Sequence, residues 1–286
     1  MNKWLFGFLV VLTTSLMGSA FAVGKIGLAY ATPIMLVALR FLIAGVIMAI
    51  LVKCLRFAHP KQMADWLKIA LIGFFQTAAV MGCIFVSLRT ITAGQSSILT
   101  FMNPLLVVIF GTVFMKMTYS WRQWVGVILG FVGVIVTLGA QMDLQIGTLF
   151  GFLSAISWAV GTLLIKKWGA QINTWVLTAY QMLFGGLILF VGSFLLENPS
   201  FQMNKQSITI LLWLALMASI VQFAVWFYLL QKGEPGKTSA FLFLAPFFGV
   251  LSGWLLLDEM IVWNVTLGGV CIFIGIFMVN WTAKIT

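Results

Sequence analysis

The fold is decided by two matching stretches: residues 94–111, GQSSILTFMNPLLVVIFG, and residues 236–253, GKTSAFLFLAPFFGVLSG. Glycines bound both stretches, and Pro104 and Pro246 occupy the same position within them. The match continues at a constant offset on both sides, so the chain carries two copies of one unit. Each copy covers about five apolar segments. An odd number of membrane crossings turns the second copy upside down relative to the first, as in inverted-repeat transporters.

The composition excludes a water-soluble domain. The chain has 286 residues, of which 62% are hydrophobic and 8% charged, whereas soluble domains carry about 25% charged residues. The net charge of +10 does not indicate nucleic acid, because the basic residues lie in short loops between apolar runs. Three cysteines without metal-type spacing and one loop histidine predict neither a metal site nor a cofactor. Membrane lipid is therefore the expected surrounding.

We predict an all-α integral membrane protein with ten transmembrane helices arranged as two inverted five-helix repeats, because about 20 apolar residues cross a bilayer. Residues 1–140 form the first repeat and residues 141–286 the second. The first segment resembles a secretory signal but matches an internal helix, so we expect it to be retained. The predicted spans are 4–24, 33–52, 67–88, 92–115, 123–140, 146–165, 174–196, 208–230, 237–257 and 263–282.

The distribution of basic residues predicts the orientation. With a cytoplasmic N-terminus, twelve Lys and Arg residues lie at cytoplasmic helix ends and three at the opposite ends. This is a strong positive-inside bias. We therefore expect a multi-pass protein of the cell (cytoplasmic) membrane with both termini in the cytoplasm.

Several short motifs occur in an order that resembles the drug/metabolite transporter superfamily, in a ten-helix form with two EamA-type domains. The resemblance spans essentially the whole chain, and two positions depart from its pattern: Met17–Gly18 stands where Trp-Gly is common, and Lys116–Met117 where an acidic residue is expected. The matching motifs are Trp158–Gly161, Leu39–Phe41, Asn103–Pro104, Ala245–Pro246, Leu257–Glu259, Gly268 and Gly275. The resemblance implies a substrate cavity lined by helices of both copies, including the third, fourth, eighth and ninth.

Arg40 is the sharpest candidate for substrate binding. It lies about seven residues into the second span, roughly 10 Å from the helix end. A charge at such depth costs at least about 2.5 kcal/mol at a helix centre, so it should face a cavity or a partner. It would anchor an anionic group such as a carboxylate; alternatively, it caps helix carbonyls and serves folding.

Buried amides are the next candidates. Gln181 occupies the repeat position of Arg40, beside Tyr180, and Gln76 and Gln222 lie within the third and eighth spans. Unpaired amides are costly in lipid, so these residues either bind substrate or join helices.

Further candidates surround them. Trp158 and Tyr228 would add aromatic wall to the cavity, with Asn103 as a polar contact. Pro104 and Pro246 remove backbone donors and predict paired kinks or breaks. These would act as hinges or mark a central site, or they would serve packing alone. Glu259 could couple transport to a proton or could be a solvated end charge.

The pattern predicts a secondary transporter that moves small organic metabolites by alternating access. The resemblance implies efflux of amino acids or similar solutes. A broad-specificity drug exporter, an uptake permease, and a membrane scaffold or sensor remain alternatives. The chain lacks the clusters of buried ionisable residues that an enzyme needs. A monomer is expected; glycine faces on the fifth and tenth helices leave a dimer seam as an alternative.

Overall fold

The computed structural model describes residues 3–138, 145–232 and 241–280. Within them the protein is helical, apart from one isolated bridge between Ala31 and Phe201 that joins two loops. Among the described residues, seven helices are long and apolar enough to cross a membrane, and three others are shorter apolar helices. The helices are α1 Lys3–Gly27, α2 Pro33–Cys54, α3 Met63–Ser87, α4 Ala93–Met115, α5 Trp121–Leu138, α6 Ile146–Trp168, α7 Thr174–Leu196, α8 205–232, α9 Leu244–Leu257 and α10 Trp263–Asn280.

Helices α3 and α8 each contain a π-helical turn, over Phe74–Ala79 and Leu216–Val221. The two turns occupy the same position in the two copies. A π turn shifts the backbone hydrogen bonds by one residue and leaves carbonyl groups available to other partners, which is why such turns occur often at functional sites. Neither turn was predicted from the sequence.

The paired prolines interrupt their helices in related ways. Helix α4 is broken at Met102, directly before Asn103 and Pro104. Helix α9 begins at Leu244 after a 3₁₀ turn, so that Pro246 lies in its first turn. Proline has no amide hydrogen and crowds the carbonyl four residues earlier, which explains a break at this point.

The repeat also governs how these two helices end. Lys116 and Asp258 follow α4 and α9 in the left-handed conformation, with φ of 52° and 53°. The amide of Met117 donates to Gly111 O (3.0 Å) and the amide of Glu259 donates to Gly253 O (3.2 Å). The two bonds lie at equivalent positions of the two copies, and in each the amide that follows the left-handed residue donates to a carbonyl near the helix end.

Equivalent helices of the two copies pack against each other. Helix α2 lies along α7, and α5 along α10, with glycines at the closest points. A Cβ on Gly126 would lie 2.7 Å from Gly275 O, and one on Gly133 would lie 2.6 Å from Gly268 O. The glycine faces of α5 and α10 are therefore packed against each other within the chain.

Two carboxylates fix the relative directions of the helices. Glu197, at the end of α7, accepts from the amide of Met35 in the first turn of α2 (2.8 Å). Glu259, just after α9, accepts from the amide of Ala93 at the start of α4 (2.8 Å). Helices α7 and α9 therefore end where α2 and α4 begin. We call this the Lys25 end, because Lys25 pairs with Glu259 there.

Candidate functional site

A cavity lies in the middle of the bundle, between helices of both copies. Its walls come from α1, α2, α3, α4, α6 and α8, and most of its lining is apolar. The space for water is about 50 Å³, which is room for a few water molecules. The lining residues are Met17, Ala20, Phe21, Arg40, Gln76, Val80, Met81, Ile84, Phe85, Phe101, Trp158, Ala218, Gln222 and Phe223.

Arg40 enters this cavity from α2 and is 3% exposed. Its Nε donates to Ser219 Oγ (2.9 Å) and its Nη2 donates to Ala218 O (2.8 Å). Both acceptors belong to the π turn of α8, whose altered hydrogen bonding makes the Ala218 carbonyl available. The guanidinium carbon also lies 4.8 Å from the centroid of the Phe41 ring. A guanidinium carries five N–H groups, so donor capacity remains beyond these two bonds.

No carboxylate lines the cavity within the described part of the chain. The charge of Arg40 is balanced by a hydroxyl, a carbonyl and the face of an aromatic ring. A buried cation without an anionic partner attracts anions strongly, because the interior screens charge poorly. An anionic group is therefore the partner that Arg40 lacks within the described cavity.

Gln76 lies in the π turn of α3, opposite the π turn that holds Arg40. Its Oε1 is buried and has no hydrogen-bond partner. Gly161 of α6 leaves the space that this side chain fills, since a Cβ on Gly161 would be 2.5 Å from Gln76 Oε1. The amide is thus held in place sterically while its acceptor stays unpaired.

Gln222 adds a second incomplete amide from α8. Its backbone carbonyl accepts from Thr13 Oγ1 of α1 (3.0 Å), which ties the two helices together, while its buried Nε2 has no partner. An unsatisfied buried donor or acceptor costs about 1–3 kcal/mol. The cavity thus presents one unpaired acceptor and one unpaired donor beside a cation.

Aromatic rings form much of the remaining wall. The Phe101 ring lies 5.4 Å from Trp158 and 5.9 Å from Phe21, measured between centroids. Phe101 belongs to the last turn before the break in α4. An apolar side chain of a ligand would pack against this surface.

The structure brings four of the predicted site residues together and leaves four elsewhere. Arg40, Gln76, Trp158 and Gln222 line the cavity. The other four, whose binding roles stay predictions, lie outside the described cavity: Asn103, Tyr180, Gln181 and Tyr228.

Each of these four has its own surroundings. Tyr180 packs at the opposite end of the bundle against Trp66 (4.7 Å) and His59 (5.6 Å). Gln181 is buried nearby with an unpaired Oε1. Asn103 is buried at the break in α4, and Tyr228 is 41% exposed on α8.

The predicted hinges and coupling group lie away from the cavity wall. Pro104 and Pro246 follow helix interruptions, as described above. Glu259 forms an ion pair with Lys25 (3.0 Å) and caps α4, with 12% of its side chain exposed. Its predicted coupling role is untested by this geometry.

Apart from Trp158, the apolar residues of the cavity lining were not predicted from the sequence, and neither was Ser219. Phe21 and Phe101 are ordinary phenylalanines among many, so nothing in the sequence marked them. Ser219 is fully buried and orients Arg40 from a π turn. A serine in the middle of an apolar span was the one available signal for it.

Known proteins are similar to this chain over nearly its full length. A family model described as the EamA-like transporter family matches residues 5–139 and 145–281. A Bacillus subtilis (strain 168) protein named uncharacterized transporter YvbV is 28% identical, over 98% of this chain and 92% of its own. An Escherichia coli (strain K12) protein named probable amino-acid metabolite efflux pump is 26% identical, over 95% and 93%.

A solved crystal structure aligns with a TM-score of 0.68 over 95% of this chain and 96% of the other. At 17% identity this likeness shows a common fold alone. The family model, in contrast, covers both halves of the chain, and the proteins of that family are membrane transporters rather than enzymes. This chain belongs to the EamA-like transporter family.

Proposed function

We propose that this protein exports amino acids or closely related zwitterionic metabolites across the cytoplasmic membrane by alternating access. The observation that carries the proposal is the cavity in which Arg40, Gln76 and Gln222 converge with hydrogen-bonding capacity unused. Arg40 and Gln222 Nε2 would donate to a carboxylate, and Gln76 Oε1 would accept from an ammonium group. The substrate side chain would pack on Phe101 and Trp158.

Outward direction and the amino-acid class are supported by the name of the Escherichia coli relative, probable amino-acid metabolite efflux pump. A cationic drug is a poorer ligand, because Arg40 repels it and no acidic residue lines the described cavity. The narrow cavity supports alternating access as well: at about 50 Å³ it must widen before a metabolite is bound.

The proposed architecture is ten transmembrane helices in two inverted repeats, with residues 1–140 and 141–286 as the units and both termini cytoplasmic. It is supported by helix directions: α7 ends beside the start of α2, although these are equivalent helices of the two copies. The same holds for α9 and α4. The shared π turns and left-handed helix ends add support. The Lys25 end is then the external end.

The transport experiment uses the purified protein in proteoliposomes loaded with one radiolabelled amino acid at a time. The wild type should exchange internal for external substrate of the same class. Arg40→Lys keeps the charge but loses the planar guanidinium, which can donate two hydrogen bonds to one carboxylate. Arg40→Ala removes the charge as well as the guanidinium. We expect exchange to fall about tenfold or more in both variants, in proportion to one lost charge-assisted hydrogen bond.

Gln181 provides a matched control for the amides. Gln76→Leu and Gln222→Leu each remove a cavity-lining amide with one unpaired atom, whereas Gln181→Leu removes a buried amide that has one unpaired atom but does not line the cavity. Only the first two should weaken exchange. Equal exchange by the wild type and all cavity variants would refute the assignment of this site. Binding of amino acids without any flux would instead support a sensor.

A further inference from the structure

A second space opens at the Lys25 end, directly beyond the central cavity. This vestibule is an open space of about 720 Å³. Its walls are the α1–α2 loop, the end of α3, and the loop that follows α7. The lining residues are Lys25, Leu28, Ala29, Tyr30, Ala31, Thr32, Pro33, Leu88, Arg89, Leu196, Glu197, Asn198, Ser200 and Gln202.

The two spaces follow the same two helices. On α1, Phe21 lines the cavity and Lys25 lines the vestibule; Phe85 of α3 lines the cavity, and Arg89, in the turn that directly follows α3, lines the vestibule. Four residues are about one helical turn, roughly 5.4 Å. The vestibule and the cavity are therefore separated by a single layer of side chains between α1 and α3.

That layer is apolar and tightly closed. Phe85 and Leu88 are each 1% exposed, and both pack on the backbone of Gly24. A Cβ on Gly24 would lie 2.9 Å from Phe85 Cζ and 3.6 Å from Leu88 Cδ1. Leu36 of α2, also 1% exposed, closes the layer against Gly27. Water and charged solutes do not cross such a layer until the rings move.

An ion pair holds α1 in this position from outside the layer. Lys25 Nζ donates to Glu259 Oε1 (3.0 Å) and to Ile91 O (2.9 Å). Glu259 in turn caps the start of α4 through the amide of Ala93 (2.8 Å). The pair joins α1 of the first copy to the end of α9 in the second copy. Ile91 and Ala93 both belong to the connection between α3 and α4, so motion of α1 away from the end of α3 must break the bonds of Lys25 to Ile91 O or to Glu259.

The opposite end of the bundle has no equivalent of this acid. The residue at the repeat position of Glu259 is Met117, which carries no charge. The backbone hydrogen bond is the same at both positions, whereas among the described residues an ion pair joins the two copies only at the Lys25 end. The two ends therefore differ in how firmly they are closed.

We propose that substrate passes between α1 and α3 into the vestibule, that Phe85 and Leu88 form the gate, and that the Lys25–Glu259 pair latches this gate shut. This inference rests on the proposed transport function and adds the route and gate to it. The latch makes closure at the Lys25 end the favoured state, and the vestibule receives the substrate once the gate opens.

The test measures access to the cavity rather than flux. Cys54, Cys83 and Cys271 are replaced by serine, and Met81→Cys places one thiol on the cavity wall. A membrane-impermeant, charged thiosulfonate reagent is then added to the Lys25 side. Glu259→Gln and Lys25→Met should each raise the labelling rate roughly 3- to 10-fold, as expected for loss of a partly buried ion pair. Because both substitutions remove the same Lys25–Glu259 interaction, the double variant should label no faster than either single variant.

Matched controls separate the gate from general loosening. Asp65→Asn breaks another ion pair, to Lys68 (2.8 Å) in α3 at the opposite end, and should leave labelling unchanged. Phe85→Leu and Leu88→Ala should increase labelling, whereas Phe194→Ala alters an exposed ring of α7 and should not. Two gate variants are used, so that the gate is still tested if one of them misfolds.

Unchanged labelling in the latch and gate variants would overturn the route, and so would equal increases in the controls. This outcome is distinct from failure of the transport proposal. Labelling needs no substrate, so a protein without flux can still show the gate, and a protein with normal exchange can lack it.

Discussion

The contact between α2 and α7 offers a quantitative test of the packing. Gly186 of α7 lies against the α2 backbone, so that an added Cβ would be 2.8 Å from Leu42 N and 3.0 Å from Phe41 C. Favourable contacts between heavy atoms begin at about 3.5 Å, so Gly186→Ala must separate the helices by roughly half an ångström or more. Overpacking of this kind costs about 1–3 kcal/mol.

Gly192 supplies the control on the same helix. A Cβ there meets nothing within 4 Å, so Gly192→Ala gains only the helix propensity of alanine, about 0.5–1 kcal/mol. Gly186→Ala gains the same propensity and loses packing. The difference in free energy of unfolding between the two variants therefore isolates the contact, at about 1–3 kcal/mol.

The measurement is reversible unfolding of both variants in mixed detergent micelles, with helicity followed by circular dichroism. Exchange in proteoliposomes gives a second readout, because the displaced segment of α2 includes Phe41, next to Arg40. We expect Gly186→Ala to unfold first and to exchange more slowly. If Gly186→Ala is as stable as Gly192→Ala, α2 and α7 do not approach as closely as the distances at Gly186 indicate, and the prediction is wrong.

Three further predictions follow from single positions. Asp258→Gly relieves the left-handed conformation at φ 53° and should raise the free energy of unfolding by about 1 kcal/mol, whereas Asp258→Ala should not. Gly161→Ala pushes a Cβ to 2.5 Å from Gln76 Oε1 and should weaken substrate exchange about tenfold at unchanged expression. Burial raises the pKa of Tyr119, in the α4–α5 loop, above 10.0. As the pH rises past 10.0, Tyr119 therefore ionises in the unfolded chain before it ionises in the folded protein, and the free energy of unfolding falls until the pH has passed the folded pKa. Tyr119→Phe should reduce that fall, followed by thermal unfolding at a series of pH values.

Helices were predictable because each needs a long apolar run, and every predicted span overlaps a helix of the structure. For α4 the sequence predicted a kink or a break near Pro104, and the structure shows a break at Met102. The π turns of α3 and α8 were invisible, since a one-residue shift in hydrogen bonding leaves no mark on hydropathy.

Site residues could be predicted where a polar side chain lies within an apolar span, because burying such a side chain costs free energy. Arg40, Gln76 and Gln222 stood out because polar groups are rare within apolar spans, and the structure places all three on one cavity. Tyr180 and Gln181 satisfied the same rule yet lie outside it. Depth along a helix can be read from the sequence, but the direction a side chain faces depends on packing that hydropathy does not encode.

The two copies share a backbone and differ in chemistry, and the cavity arises from that difference. The π turns place Gln76 and Ala218 at equivalent positions. In the first copy this position supplies a side-chain amide to the cavity; in the second, its backbone carbonyl binds Arg40 (2.8 Å). The counterpart of Arg40 is Gln181, which lies outside the cavity. A symmetric backbone thus provides a π turn in each copy, and the divergence of a few side chains brings a cation and two incompletely paired amides to one cavity. Restoring symmetry, by Ala218→Gln, would fill the space that Arg40 uses and should abolish exchange while both π turns persist.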